Sequence, residues 1–157
     1  MFTIDRDDPA RPDVHRLLTE HLADMFASSP AESVHALDLE ALSAPEIRFW
    51  TAREGRTLVG CGAIKELTTD HAELKSMRTT QEARGRGVAA RLLSHILDDA
   101  SHRGIGRVSL ETGTQDYFAP ARRLYRRSGF SECPPFAGYA LDPNSIFLTI
   151  LLAATAR

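Results

Sequence analysis

The residues with the clearest chemical potential form a short basic, glycine-rich turn, Arg84-Gly85-Arg86-Gly87. Its two glycines let the backbone expose successive N–H groups. A helix predicted to begin at Val88 directs its own free N–H groups and the positive end of its dipole toward the same point. The arginines add positive charge and can form bidentate hydrogen bonds. Such a turn, placed between a strand and a helix, is typical of a pyrophosphate site, although Arg-Gly-Arg-Gly alone also occurs in RNA-binding tails and plain loops.

The residues around this turn alternate between strand and helix periodicity. Strands are predicted at Phe2–Ile4, Ile47–Arg53, Leu58–Leu67, Ala72–Thr79 and Val108–Glu111, with two more within Phe130–Tyr139 and Ser145–Leu152. Helices are predicted from Pro12 to Ser28, from Val88 to Gly104, and through Phe118–Tyr125. The stretch Ala31–Ala44 predicts either a loop or a short helix around Asp38–Leu42.

The order of these elements predicts the fold class. Short connections join the three strands between residues 47 and 79 as antiparallel hairpins, and the strand–helix–strand unit after them requires a parallel crossover. We therefore predict one α/β domain over residues 1–157, with a mixed, mostly antiparallel central sheet and helices on both faces.

Composition excludes several other classes of function. The chain has 157 residues and a net charge of -2, which favours neither nucleic acid nor an anionic membrane as partner. Neither the N-terminal residues nor the longest apolar run, Ile146–Leu152, resembles a secretory signal or a membrane span. Cys61 and Cys133 indicate reduced thiols in a cytoplasmic protein, and no metal-type spacing of Cys or His is present.

Two sequence motifs, found at the separation expected for a single protein family, make the predicted function specific. The pattern Arg84-x-x-Gly87-x-Ala89 resembles the acyl-CoA pyrophosphate motif of the GNAT (GCN5-related) N-acetyltransferases. The segment Ala121-Arg122-Arg123-Leu124-Tyr125-Arg126-Arg127-Ser128-Gly129-Phe130 resembles the A-x-x-L-Y-x-x-x-G-F motif of the same family. This resemblance implies a GNAT-like fold and an acetyl-CoA-dependent N-acetyltransferase. One departure is Phe118, where many members carry Asn.

The resemblance also implies which residues would contact acetyl-CoA. Backbone N–H groups of the strand before the turn would bind the thioester and the pantetheine arm. The turn and the start of the helix after it would bind the pyrophosphate, and the second motif would also contact the cofactor. The residues implied are Met77, Arg78, Thr79, Arg84, Gly85, Arg86, Gly87, Val88, Ala89, Phe118, Ala121 and Tyr125.

The candidate catalytic residues are Tyr125, Glu73 and Glu111. By resemblance Tyr125 donates a proton to the departing thiolate, and the alternative is a purely packing role. Glu73 is a candidate general base on the strand before the turn, where alternation places it on one face with Lys75, Met77 and Thr79. The alternative is a solvated Glu73 paired with Lys75. Glu111 is a second candidate base, and a water relay is a third possibility.

The acceptor site is the least specified part of the sequence. By resemblance the first helix and the loop after it line the acceptor pocket, which points to Ser29, Glu32 and His35. We expect a small-molecule amine or amino-acid-like acceptor, no metal, and a homodimer. The open alternatives are a non-catalytic acyl-CoA sensor and a protein N-acetyltransferase.

Overall fold

The computed structural model describes residues 2–31 and 40–152 of the chain. The strands are β1 (Thr3–Arg6), β2 (Ile47–Glu54), β3 (Thr57–Glu66), β4 (His71–Thr79), β5 (Arg107–Gly113), β6 (Ser131–Glu132) and β7 (Ser145–Leu151). The helices are α1 (Pro12–Ser28), α2 (Val88–His102) and α3 (Ala119–Arg127). Short 3-10 turns occur at Ala41–Ser43, Gln81–Ala83 and Asp116–Phe118. The rest of the predicted helix around Asp38–Leu42 lies outside the described residues.

The seven strands form one sheet in the order β1-β2-β3-β4-β5-β7-β6. Every neighbouring pair is antiparallel except β4 and β5, which are parallel and are connected through α2. The predicted hairpins, the crossover and the mixed, mostly antiparallel sheet are therefore confirmed. Of the two closing strands, β7 has nearly its predicted length, whereas β6 has only two residues.

The core lies on both faces of this sheet. On one face α2 buries Val88, Leu92, Leu93 and Ile96, whose helical spacing produces one continuous apolar surface, and Tyr125 of α3 joins the same cluster. On the opposite face α1 buries three apolar side chains against β2 and β3, namely Val14, Leu17 and Leu18. The prediction of helices on both faces is confirmed. No helix within residues 2–31 and 40–152 is long and apolar enough to cross a membrane.

A β-bulge in β4 changes which side chains share a face. Ser76 takes a positive φ of 59°, and the pairing register with β3 shifts between Cys61 and Ala63. Before the bulge Lys75 pairs with Ala63 on the α1 face, whereas after it Met77 packs into the core on the α2 face. The prediction that Met77 and Thr79 share a face with Glu73 and Lys75 is therefore wrong, because an extra residue interrupts the alternation.

Candidate active site

A wedge between β4 and β5 forms the centre of the candidate site. The two strands pair only at their beginnings, and the last partners are Glu73 and Ser109. Beyond that point β5 pairs with β7 and β4 pairs with β3, so the two parallel strands diverge. The divergence exposes backbone between two strand edges, where a ligand can reach it.

The glycine-rich turn lies at the end of this wedge and leads into α2. Gly85 and Gly87 have φ values of 78° and 81°, the left-handed region that glycine adopts without strain. Gly87 is the N-cap of α2, and no side chain caps the helix. A Cβ atom built on either glycine would meet nothing within 4 Å. The start of α2 therefore has space beside the turn for an anion, which the free N–H groups of a helix N-terminus can bind.

A cleft of about 580 Å³ runs from this turn to α3. Its wall includes Met77, Arg78, Thr79, Arg84, Gly85, Gly87, Val88, Ala89, Phe118, Ala121 and Tyr125. Arg123 and Arg127 of α3 also line it. Among the described lining residues are four arginines and no carboxylate, although the chain as a whole carries a net charge of -2. The cleft is therefore a local site for a polyanion.

Arg86 differs from the other residues of the turn. Its guanidinium pairs with the Glu54 carboxylate at 2.7 Å, and it is absent from the described lining of the cleft. Both side chains of this pair are more than 40% exposed. Of the two arginines in the turn, the structure therefore brings only Arg84 to the cleft.

A smaller pocket of about 100 Å³ occupies the wedge itself. Glu73 and Glu111 line it from β4 and β5, and Tyr139 and Asn144 line it from the segment between β6 and β7. Ser29, at the end of α1, is also part of the wall, and its hydroxyl donates to Gln115 Oε1 at 3.3 Å. The pocket has a size and charge that suit a small polar molecule.

Glu73 is the most constrained carboxylate of the smaller pocket. It is 4% exposed. Its Oε2 accepts hydrogen bonds from Lys75 Nζ at 3.0 Å and from the Tyr139 hydroxyl at 2.5 Å. Burial and the neighbouring Glu73 carboxylate raise the pKa of Tyr139, so that this phenol stays protonated. The solvated alternative for Glu73 is wrong, although its pairing with Lys75 is present. Glu111 accepts a hydrogen bond from Ser145 Oγ at 2.7 Å.

Tyr125 lies where the two pockets meet. It lines both of them, together with His21, Met77, Phe118 and Ala121. Burial raises the pKa of the Tyr125 hydroxyl, which therefore stays protonated. The ring of Tyr125 packs edge-on against Phe130 at 5.7 Å between centroids, so both the packing contact and the access to the pockets are present.

Two residues of α1 that are not among the named candidate site residues lie at or beside this junction. His21 is half-buried, and burial with the nearby Arg78 charge lowers its pKa to about 4. Its Nδ1 has no hydrogen-bond partner within the described part of the chain. Asp24 pairs with Arg78 at 2.7 Å, and Tyr117 bonds to both of these residues. The resemblance implies that the first helix lines the acceptor pocket, from about His21 onward. The particular contacts of His21 and Asp24 are visible only in the tertiary structure, because a histidine or an aspartate on a helix is ordinary in sequence.

Two further expectations concern the acceptor and metals. Glu32 and His35, predicted for the acceptor site, lie outside the described residues. In the described part of the chain no group of three or more His, Cys, Asp or Glu side chains could hold a metal ion. Cys61 is buried, and burial raises the pKa of its thiol to about 12.

Comparison with known proteins places this geometry in a family. Residues 14–130 match the model of the acetyltransferase (GNAT) family. The chain is 53% identical over 143 residues to the Bacillus subtilis protein named N-acetyltransferase YsnE, covering 91% of this chain and 95% of that protein. It is 41% identical over 150 residues to an IAA acetyltransferase of Azospirillum brasilense, covering 93% and 95% of the two chains.

Solved structures agree with the sequence comparison. A protein described as an acyl-CoA N-acyltransferase from Klebsiella pneumoniae superimposes with a TM-score of 0.84 at 27% identity, over 98% of this chain and 99% of that one. A GNAT acetyltransferase from Elizabethkingia anophelis with acetyl-CoA bound has the same fold, with a TM-score of 0.70 at 16% identity over 96% and 98% of the two chains. The chain therefore belongs to the acetyltransferase (GNAT) family and is an N-acetyltransferase.

Proposed function

We propose that the chain transfers the acetyl group of acetyl-CoA to the amine of a small metabolite or amino-acid-like acceptor. The observation that supports this best is the pair of joined pockets. A cationic cleft at the start of α2 meets a small pocket bearing two carboxylates, and Tyr125 lies at their junction. One side suits a polyanionic donor, and the other suits a small cationic acceptor.

The residues of the larger cleft fit the phosphate groups of acetyl-CoA. The N–H groups at the start of α2, which no side chain caps, can donate hydrogen bonds to phosphate oxygens. The open space beside Gly85 and Gly87 lets the phosphates approach without steric hindrance. Arg84, Arg123 and Arg127 supply positive charge along the same wall. Arg86 is not part of this proposal, because its guanidinium is paired with Glu54.

The residues at the junction can perform the proton transfers that amide formation requires. When bound, acetyl-CoA supplies a thioester whose acetyl carbon is transferred to the amine nitrogen while its carbon–sulfur bond breaks. Glu73 accepts the proton that the attacking amine must lose, with Glu111 as the second candidate. Tyr125, kept protonated by burial, donates a proton to the departing sulfur. Backbone N–H groups of Met77–Thr79 stabilise the developing negative charge on oxygen.

The smaller pocket restricts the acceptor. Its volume of about 100 Å³ favours a small acceptor over a segment of protein chain. Glu73 and Glu111 contribute two negative charges and Lys75 one positive charge, so the described wall favours a cationic amine. We therefore place a protein acceptor second.

A calorimetric titration with acetyl-CoA, followed by a screen of amines and amino acids for release of free thiol, tests the proposal. We expect binding, and thiol release with at least one small amine. Binding without release from any amine would instead support the acyl-CoA sensor. No binding would overturn the assignment of the cleft.

The two arginines of the turn offer a matched pair for the same titration. Arg84→Ala removes a charge that lines the cleft and should weaken acetyl-CoA binding by about 1–3 kcal/mol. Arg86→Ala removes a neighbouring charge that pairs with Glu54, and it should leave the affinity close to that of the wild type. Equal losses in both variants would show that the effect is general electrostatic attraction and not a contact.

A further inference from the structure

The Glu73 carboxylate receives two hydrogen bonds from opposite sides of the smaller pocket. Lys75 lies two residues away on β4, whereas Tyr139 approaches from the segment between β6 and β7. Lys75 Nζ also donates to the Tyr139 oxygen at 3.1 Å, so the three groups form a closed triangle. Both donors bond to Oε2, and no described residue donates to Oε1 of Glu73.

Tyr139 is held firmly in this position. Its N–H donates to the Phe136 carbonyl at 3.1 Å, which closes a tight turn in which Ala137 has a φ of 52°. Its ring packs against Phe136 and Phe147 at 5.2 and 5.6 Å between centroids. The ammonium of Lys75 lies 5.8 Å from the ring centroid. The direction of the hydroxyl is thus fixed by packing that does not depend on its hydrogen bond.

We propose that Tyr139 is a positioning residue for acetyl transfer: its hydroxyl fixes the Glu73 carboxylate through Oε2 and leaves Oε1 to accept the proton of the acceptor amine. This inference rests on the proposed function, in which Glu73 is the base. Hydrogen bonds from a hydroxyl and an ammonium to one oxygen fix the rotation of the carboxylate. The other oxygen is thereby held in one direction within the pocket, as a proton acceptor requires.

Several other titratable groups border the carboxylate, and all of them remain in place in Tyr139→Phe. They are His71 and Lys75 on β4, Glu111 on β5, and His21 on α1. Burial lowers the pKa values of His21 and His71, so both imidazoles are neutral near pH 7. A change that appears only on removal of the Tyr139 hydroxyl can therefore be assigned to that hydroxyl.

The test compares the full-length wild type with Tyr139→Phe, which keeps the ring contacts and removes only the oxygen. Steady-state kinetics with an amine from the screen measure kcat and KM, and calorimetry measures the affinity for acetyl-CoA. We expect Tyr139→Phe to lower kcat by about 10-fold, because the Glu73 carboxylate loses the hydroxyl that orients it. The affinity for acetyl-CoA should be unchanged, whereas a general disturbance of the fold would weaken it as well.

Two further variants separate positioning from packing. Phe136→Leu loosens the packing that fixes the ring and retains the hydroxyl, so its kcat should lie between those of the wild type and Tyr139→Phe. Lys75→Met removes the second donor to Glu73 and should lower kcat as Tyr139→Phe does, which provides a test should Tyr139→Phe fail to fold. A kcat equal to that of the wild type in both donor variants would overturn the inference. Absence of thiol release from the wild type itself would instead contradict the proposed function, so the two failures are distinguishable.

Discussion

The hydroxyl of Tyr125 is the single group whose removal best tests the chemistry at the residue scale. Tyr125→Phe keeps the edge-on contact with Phe130 and removes the proton donor. We expect kcat to fall by at least about 100-fold, the order of effect of a general acid, while the KM for acetyl-CoA changes little. Steady-state kinetics with an amine from the screen would measure both. A kcat equal to that of the wild type would assign Tyr125 to packing alone.

His21 makes a prediction about stability against pH. An unfolded histidine binds a proton near pH 6.5, whereas His21 in the folded chain stays neutral down to about pH 4. Between these values the unfolded state binds more protons, so the free energy of unfolding falls as the pH falls. Below pH 4 the contribution of His21 should have lowered the free energy of unfolding by about 3 kcal/mol.

Urea unfolding of the wild type and of His21→Asn at a series of pH values measures this contribution. The difference in free energy of unfolding between the two proteins should change across the interval from pH 6.5 to about 4. His15→Gln, an exposed position on the same helix, serves as the control and should parallel the wild type. A His21→Asn curve parallel to the wild type would contradict the assigned neutral state.

At the residue scale, the sequence predicts the location of a side chain where that location depends on a local pattern. Tyr125, Arg84 and Gly87 occupy positions that a motif marks, and the structure brings all three to the larger cleft. The hydrogen bond from Tyr139 to Glu73 and the burial of His21 could not be predicted in this way. Each depends on which distant side chains the residue meets, and neither contact belongs to a recognisable pattern.

The junction of the turn with α2 gives a prediction at the scale of an element. Gly87 has a positive φ and is the N-cap of α2. Asp and Asn tolerate this conformation better than most residues, and both are good N-caps, so either substitution should leave the helix folded. Gly87→Asp places a negative charge beside the anion site and should abolish detectable binding of acetyl-CoA. Gly87→Asn has nearly the same shape without the charge and should retain more affinity.

Calorimetry on both variants, with circular dichroism to confirm folding, decides this point. Equal affinities for the two variants would mean that the charge at position 87 does not approach the phosphates. In that case the phosphate-binding site would lie elsewhere along the larger cleft.

The elements themselves were largely predictable from their apolar runs, their turns and their helical spacing. Apolar runs on either side of the Glu54-Gly55 turn marked β2 and β3, and the apolar spacing of α2 marked its buried face. The exception is the bulge at Ser76, whose positive φ leaves no signature in composition. The thiol of Cys61 donates to the Ser76 carbonyl at 3.4 Å, a contact from the neighbouring strand that stabilises the bulge. This explains why the face of Met77 was predicted wrongly.

At the scale of the whole molecule, the site depends on holding α1 against the diverging strands. The two pockets share walls from α1, β4 and α3, so none of these elements forms the junction alone. Apolar contacts of Val14, Leu17 and Leu18 fix the first part of α1 to the sheet. Its last turns, which carry His21 and face the junction, are linked to β4 by the Asp24–Arg78 ion pair.

Removal of that ion pair should therefore lower the free energy of unfolding and weaken the binding of both substrates. The Arg78 side chain is 9% exposed, and its Nε has no partner in the described part of the chain, so Asp24→Ala leaves a largely buried cation without its counter-ion. Because the Asp24 carboxylate is 41% exposed, we expect a loss of about 1 kcal/mol and not the larger cost of a fully buried pair. The KM values for acetyl-CoA and for the amine should both rise.

Glu54→Ala, which breaks the exposed pair with Arg86, is the control for this prediction. It should change neither the free energy of unfolding nor the two KM values measurably. Identical unfolding curves and KM values for Asp24→Ala and the wild type would show that apolar contacts alone hold α1 over the two pockets.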